Sequence, residues 1–287
     1  MKIDRMDLAD CGNPVELAKK ILMQILDIKP PIPIREIAKA LDILKIEPIK
    51  DSSFEGGLIT PDDKSDGCIL YNESSSNARQ RFTIGHELGH FVNPWHSPNS
   101  SGQIMCTKNN MTASTFNKNN LQEKMEVEAN QFSAEILMPT SMIKKDIIIE
   151  NAGIELILSL AGKYDVSKES MARRYVDIQD EPSAIVFSNN KKILYFCKNK
   201  DFPWLSISKN SFLPPSSLSL SFQGDNGGLS EWEENSSDVW LSESKECKTV
   251  YEQVLVQQNE YRMTLLTLGE IDDEEESDLE ESYRIKF

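Results

Sequence analysis

The stretch RFTIGHELGHF, residues 81–91, constrains the fold more than any other part of the chain. It holds two of the chain's three histidines, His86 and His90, four residues apart. A helix is predicted from about residue 76 to residue 93, where Pro94 stops it. Residues four apart on a helix lie on the same face, one turn from each other. This segment therefore predicts a helix that presents two imidazole rings side by side.

The spacing of these residues is typical of a catalytic metal site. His86 and His90 can both bind one metal ion, and Glu87 borders them without lying on the ligand line. This is the HExxH arrangement, in which zinc activates a water molecule and the glutamate acts as the general base. The alternative, two histidines on one helix face by chance, is disfavoured in a chain with so few histidines. The sequence thus predicts Zn²⁺ as cofactor and Glu87 as the catalytic residue.

Two glycines in the same helix indicate a close neighbour. Gly85 and Gly89 each cost about 1 kcal/mol of helix stability relative to alanine. A helix that keeps them is expected to have another helix or strand packed close to its backbone at these positions.

A catalytic zinc ion needs a third protein ligand, and the residues alone leave that ligand open. His96 follows Pro94, outside the helix. A second helix, predicted over about residues 121–138, carries four glutamates, and periodicity leaves Glu128 and Glu135 nearly tied on a half-apolar face. The candidates for the third ligand are His96, Glu123, Glu126, Glu128 and Glu135.

The residue that stabilises the transition state is also open. A tetrahedral oxyanion needs a donor in addition to the metal. His96, Tyr71 and Arg81 are candidates for this donor or for contacts with substrate, and a structural role is the alternative for each.

The chain's composition limits its partners. The net charge is -15 and the pI is about 4.8, which disfavours direct binding to DNA or to an anionic membrane. No apolar run is long enough to cross a membrane, and the first residues contain no signal peptide. The five cysteines are scattered singly, as expected for reduced thiols. These features predict a cytoplasmic protein.

The order of elements predicts an α+β protein with two domains. A β-hairpin is expected at about residues 56–73 and a long flexible loop at 97–120. Residues 154–177 resemble a helix-turn-helix, for which a packed helical subdomain is preferred over DNA binding by Lys163, Lys168, Arg173 and Arg174. The hydrophobic period changes near residue 181.

The second predicted domain, residues 182–287, is expected to be β-rich and to sense a signal or recognise a partner. Hairpins are predicted to turn at Asn189 and Asn190 and near Asn259. This part has 10 Lys and Arg against 19 Asp and Glu. Many of the acidic residues lie in the tail EIDDEEESDLEES, which is either a solvating tail or a binding site for a basic partner.

Two sequence blocks together are similar to a known family. RQRFTIGHELGHF followed by EVEANQFSAEILMP resembles the ImmA/IrrE family of zinc metallopeptidases, which are of the gluzincin type. The resemblance covers roughly residues 15–180 and implies a zincin-like domain over residues 1–181. It also implies that Glu128, the glutamate before Ala-Asn, is the third zinc ligand and that Glu135 either has a structural role or supports the zinc ligands. By analogy, Gly67 to Tyr71 would form a strand edge along the substrate cleft.

The resemblance also implies a function. It points to a zinc-dependent endopeptidase that performs limited, regulatory proteolysis of a DNA-binding repressor or an antitoxin-type protein. The setting would be a stress response, a mobile element or a toxin-antitoxin system. The alternative is a non-catalytic, metal-dependent sensor or interaction module, but the intact Glu87 favours the enzyme. A DNA-binding regulator is a third hypothesis, which the net charge opposes. The oligomeric state remains open.

Overall fold

The computed structural model describes residues 1–51, 54–97, 120–148, 152–242 and 249–268, together with the backbone of 103–106. The chain divides into two compact units. One consists of Met1–Asn151 with Leu156–Arg174, and the other of Ala152–Glu155 with Tyr175–Phe287. Helices give way to strands near residue 181, as the sequence predicts. The units themselves separate within a helix, six to seven residues earlier, and the two-domain boundaries stay a prediction.

The elements of the first unit are mostly helices around a small sheet. The helices are α1 (Pro14–Met23), α2 (Ile34–Ala40), α3 (Asn77–Val92), α4 (Leu121–Leu137), α5 (Thr140–Ile147), α6 (Ile154–Tyr164) and α7 (Lys168–Ile178). The strands are β1 (Ile43–Ile49), β2 (Gly56–Ile59), β3 (Gly67–Asn72) and β4 (Gln103–Cys106). None of the helices in the described ranges is long and apolar enough to cross a membrane.

The sheet of the first unit has the order β1-β3-β2-β4. β2 and β3 pair antiparallel, which confirms the predicted hairpin. β3 also pairs in parallel with β1 on its other side, so it is an inner strand. The expectation that Gly67 to Tyr71 form a free edge is therefore wrong. β4 lies within the segment predicted as a loop over 97–120 and pairs with β2; most of that segment lies outside the described residues.

Helix α3 is the central helix of this unit. The side chain of Ser76 caps it by accepting a hydrogen bond from the backbone N–H of Arg79 at 3.4 Å, and it ends at Val92, just before Pro94. Every residue from Thr83 to Val92 is buried, as expected of a helix covered on several sides. It packs against α4, β2 and β3.

The close neighbour predicted from the two glycines of α3 is helix α4. A Cβ atom at Gly85 would lie 2.6 Å from Ser133 Oγ, and one at Gly89 would lie 3.0 Å from Phe132 Cδ1. Both distances are too short for an alanine without movement of its neighbour. The glycines thus bring the backbone of α3 close to α4, the helix that carries the glutamates.

The second unit contains a five-stranded antiparallel sheet and a short helix. Its elements are β5 (Ser183–Asn189), β6 (Lys192–Lys198), α8 (Leu218–Ser221), β7 (Glu233–Ser236), β8 (Thr249–Val256) and β9 (Tyr261–Leu268), with the strand order β6-β5-β9-β8-β7. Both predicted hairpins are confirmed. Asn190 and Asn259 have positive φ at their turns, as primed hairpin turns require. The α+β class with a β-rich C-terminal part is therefore confirmed, while the acidic tail lies outside the described residues.

The segment that resembles a helix-turn-helix does form two helices, α6 and α7. Ser167 caps α7 by accepting from the backbone N–H of Ser170 at 3.0 Å. Arg174 points inward: its guanidinium donates to the carbonyl of Met138 at 3.1 Å and pairs with Glu135. An arginine held in this way is not available to a phosphate group, which favours the packed subdomain over DNA binding.

Candidate metal centre

The two histidines of α3 lie side by side, as their spacing predicts. Their Nε2 atoms are 3.1 Å apart and both side chains are completely buried. The rings meet edge to face, with centroids 4.8 Å apart. Both rings therefore direct their Nε2 atoms to one point.

Glu126 of α4 completes this group. One of its carboxylate oxygens lies 3.3 Å from His86 Nε2, and the other lies 3.8 Å from His90 Nε2. Donor atoms of the three residues all lie within 4.8 Å of one another, and all three residues are buried. Among the residues whose side chains are described, this is the one cluster of His, Cys, Asp or Glu that can hold a metal ion.

The structure places Glu126 at the position that the family resemblance implied for Glu128. Residues two positions apart in a helix differ by about 200° around its axis. The side chains of Glu126 and Glu128 therefore leave α4 on opposite sides. Glu128 Oε2 lies 2.9 Å from His96 Nε2, and Glu128 Oε1 lies 3.6 Å from Lys124 Nζ. Glu128 thus contacts the third histidine of the chain instead of the first two.

In each of the two histidines, the Nδ1 atom, which faces away from the cluster, contacts another side chain. His86 Nδ1 lies 2.9 Å from Asn130 Oδ1, and His90 Nδ1 lies 3.0 Å from His96 Nδ1. A bonded Nδ1 fixes the ring and leaves Nε2 for a metal. Sequence reasoning missed Asn130. Its position four residues after Glu126, on the same face of α4, was the available signal.

The charge states of the cluster suit metal binding. Burial lowers the pKa of His90 to about 3, so its ring is neutral near pH 7. Burial also lowers the pKa of His96. For Glu126, burial raises the pKa, but hydrogen bonds from His86 and His90 outweigh this and lower it below its ordinary value. A neutral imidazole such as that of His90 and an ionised carboxylate such as that of Glu126 are the forms that bind a metal.

The residues fit a zinc ion by their chemistry and spacing. Two imidazole nitrogens and one carboxylate form a His₂Glu set, which is a known zinc-peptidase ligand set. Ligand atoms of a tetrahedral zinc ion lie about 3.4 Å apart for bonds of about 2.1 Å, close to two of the three distances here. With the ring protons on Nδ1, as metal binding requires, the two Nε2 lone pairs would face each other, and one cation between them would bind both.

The predicted general base lies on the same helix. Glu87 follows His86 directly, and its side chain is completely buried. A buried carboxylate next to a metal ligand is the arrangement that the HExxH spacing predicts. Its role as general base stays a prediction at this point.

The other predicted site residues have structural contacts. Arg81 donates to the carbonyls of Ile32 and Asp165, at 2.9 Å and 3.1 Å, and its side chain is only 12% exposed. The ring of Tyr71 lies under the guanidinium of Arg35, 4.7 Å away. Within the described residues, the contacts of Arg81 and Tyr71 do not reach the histidine pair, whereas His96 touches it directly.

Glu135, which tied with Glu128 on periodicity, is structural. Its carboxylate accepts from the backbone N–H of Thr140 at 3.2 Å and from the Thr140 hydroxyl at 2.8 Å. It also pairs with Arg174. These contacts hold the start of α5 against α7, as the resemblance implied for a structural glutamate.

These features define a class of protein. A buried HExxH helix faces a carboxylate from a second helix and rests on a small sheet, which is the organisation of a metallopeptidase-like domain. Residues 47–175 match the Peptidase_M78 family, described as the IrrE N-terminal-like domain. This part of the chain is therefore similar to that family.

A solved structure shares the fold. The chain is similar to a transcriptional regulator of Mycobacterium tuberculosis, with a TM-score of 0.57 and 10% sequence identity. The similarity covers 92% of this chain and 80% of that one. At this identity the likeness extends to the fold alone. A comparison with curated protein sequences found no match.

Proposed function

We propose that the chain is a zinc-dependent endopeptidase that performs limited proteolysis. The observation that carries this proposal is the convergence of His86, His90 and Glu126 in a Peptidase_M78 domain. The buried carboxylate of Glu87 on the same helix supplies the residue that hydrolysis needs in addition to a metal site.

The proposed chemistry divides between the metal and Glu87. When bound, zinc would supply a Lewis acid and lower the pKa of a water molecule. Glu87 accepts a proton from the attacking water while the water oxygen forms a bond to the peptide carbonyl carbon. As the C–N bond breaks, Glu87 returns that proton to the leaving amine. Asn130, the partner of His86 Nδ1, keeps that ring in place throughout.

The proposed substrate is a DNA-binding repressor or an antitoxin-type protein. The ImmA/IrrE resemblance supports this class, and a net charge of -15 favours a partner with a basic surface, such as a DNA-binding face. The inward-pointing Arg174 supports a protein substrate over direct contact with DNA. Cys11 and Cys68 are not in disulfides, and reduced thiols agree with the proposed action in the cytoplasm.

The test is to incubate the purified full-length chain with the repressor encoded nearest to its gene. We expect cleavage at one or two sites, loss of cleavage with a zinc chelator, and negligible digestion of casein. The Glu87→Gln variant is the control for a contaminating protease. Rapid digestion of casein would contradict limited proteolysis. Repressor cleavage that survives both chelator and Glu87→Gln would contradict the mechanism. Zinc binding without any cleavage would support a metal-dependent sensor instead.

A further inference from the structure

A line of hydrogen bonds leads from the candidate metal centre toward the surface. His90 Nδ1 lies 3.0 Å from His96 Nδ1, and His96 Nε2 lies 2.9 Å from Glu128 Oε2. His96 is only 1% exposed, whereas the side chain of Glu128 is 19% exposed. The line therefore starts at a buried ligand and ends at a carboxylate with partial access to water.

The protons on this line follow from the role of His90. If the lone pair of its Nε2 binds the metal, its proton is on Nδ1, which then donates to His96 Nδ1. The proton of His96 must then be on Nε2, where it is donated to the carboxylate of Glu128. This assignment gives each contact one donor and one acceptor. If the proton of His90 were on Nε2 instead of Nδ1, it would occupy the position of the metal.

We propose that His96 and Glu128 are a positioning pair that fixes the tautomer and ring orientation of His90. The proposal rests on the proposed metal site, but neither residue of the pair is taken to touch the metal or the substrate. Residues that support metal ligands in this way commonly change metal affinity by about 10- to 100-fold.

The position of His90 in the helix explains why its support comes from a loop. His86 is supported by Asn130, which lies on the same helix as the ligand Glu126. His90 is one turn further along, near the end of α3, and its partner is on the segment that follows. The backbone N–H of His96 donates to the carbonyl of Asn93 at 3.2 Å, which holds that segment against the helix end.

Lys64 strengthens this helix end. Its Nζ donates to the carbonyl oxygens of His90 and Asn93, both at 2.7 Å. The turn between β2 and β3 is thereby tied to the last turn of α3. His96 thus starts from a fixed backbone, which a residue that orients another side chain needs.

The test is the zinc affinity of the full-length chain, measured by competition with a chromophoric chelator. We expect His96→Leu to weaken zinc binding about 10- to 100-fold. We expect His96→Asn to recover most of this loss, because its Oδ1 can accept the proton of His90 Nδ1. Leucine is apolar and fills more of the buried space than asparagine. A role in packing alone would therefore give the opposite order.

A second set of variants tests the role of Glu128. Glu128→Gln keeps an oxygen that can accept from His96, so we expect a smaller loss of affinity than for Glu128→Leu. Glu123→Gln, at an exposed site on the same helix, is the matched control and should leave the affinity unchanged. Nitrogen NMR of the zinc-loaded wild type should show the proton of His90 on Nδ1.

The results separate this proposal from the proposed function. Zinc binding by His96→Leu as tight as in the wild type, or tighter binding by His96→Leu than by His96→Asn, would overturn the positioning pair. The expected order of affinities in a protein that cleaves nothing would support the pair and contradict only the peptidase.

Discussion

Glu126 and Glu128 are separated by one residue and have different environments. Glu126 is 1% exposed and faces the histidine pair, whereas Glu128 faces His96. Periodicity favoured Glu128 and Glu135 over Glu126, because the apolar residues of α4 lie on more than one side of the helix. The buried residues Ala129 and Ser133 are in phase with Glu126 and mark the face that packs on α3.

The relative positions of the HExxH residues could be predicted because a single helix sets their geometry. His86 and His90 meet wherever that helix lies, since their spacing alone puts them on one face. The third ligand depends on how a second helix is rotated against the first. That rotation is decided by packing at Gly85 and Gly89, which the sequence indicates only as a close approach.

The first prediction at the residue scale concerns Glu87. Glu87→Gln should keep zinc, because Glu87 is not a ligand, and lose at least about 100-fold in cleavage rate, as expected for a general base. The measurement is the rate of repressor cleavage by zinc-loaded wild type and variant, with metal content determined for both. Full activity in the variant would contradict a catalytic role for Glu87.

Strands were harder to predict than helices in the first unit. β1 is largely exposed and contains Pro48, so it shows no clear alternation of apolar and polar residues. It forms because it pairs in parallel with β3, a contact between distant parts of the chain. The hairpins of the second unit were predictable because their asparagines favour the positive φ of the turn.

The packing of α3 on α4 gives a prediction at the element scale. In Gly85→Ala the new Cβ atom would lie 2.6 Å from Ser133 Oγ. We expect a loss of about 1–3 kcal/mol in the free energy of unfolding, as is typical of overpacking, together with weaker zinc binding. The measurement is urea unfolding of the metal-free protein and chelator competition with zinc.

Two controls accompany this variant. Gly162→Ala on α6 adds a Cβ atom with nothing within 4 Å, so it should be neutral or stabilising by up to about 1 kcal/mol. Ser133→Ala removes the hydroxyl that Gly85→Ala would meet, so the double variant should lose less stability than the two single losses together. Strict additivity would show that the two helices do not meet at this point.

A buried carboxylate in the second unit gives a pH prediction. Glu252 accepts from the backbone N–H of Leu218 at 3.0 Å and from Asn235 Nδ2 at 2.8 Å, and it is completely buried. Burial raises its pKa above the ordinary value of 4.5, and these hydrogen bonds only partly oppose the rise. The folded state therefore retains a proton in a pH range where the unfolded chain has lost it.

The sign of the effect follows from proton linkage. As pH rises from 4.5 through the raised pKa of Glu252, the wild type should lose stability relative to Glu252→Gln, which does not titrate. Urea unfolding of both proteins at about pH 5 and about pH 8 measures the difference, with tryptophan fluorescence as the signal. An equal difference at both pH values would contradict a raised pKa.

At the scale of the whole molecule, the predicted site residues are confined to one of the two units. The candidate metal centre and its supporting residues all lie in the first unit. The second unit carries none of the predicted site residues, and 19 acidic residues against 10 basic ones follow residue 181. Charge could be counted from the sequence, but the partner of this acidic part depends on surface shape, which composition does not determine.

The central claim, that His86, His90 and Glu126 hold one metal ion, is tested most directly by the metal content of the intact protein. Elemental analysis of the full-length chain should find one zinc ion per molecule. Glu126→Ala should lose it, whereas Glu128→Ala should retain it at saturating zinc, with lower affinity. A protein that keeps its zinc in Glu126→Ala and loses it in Glu128→Ala would contradict this account.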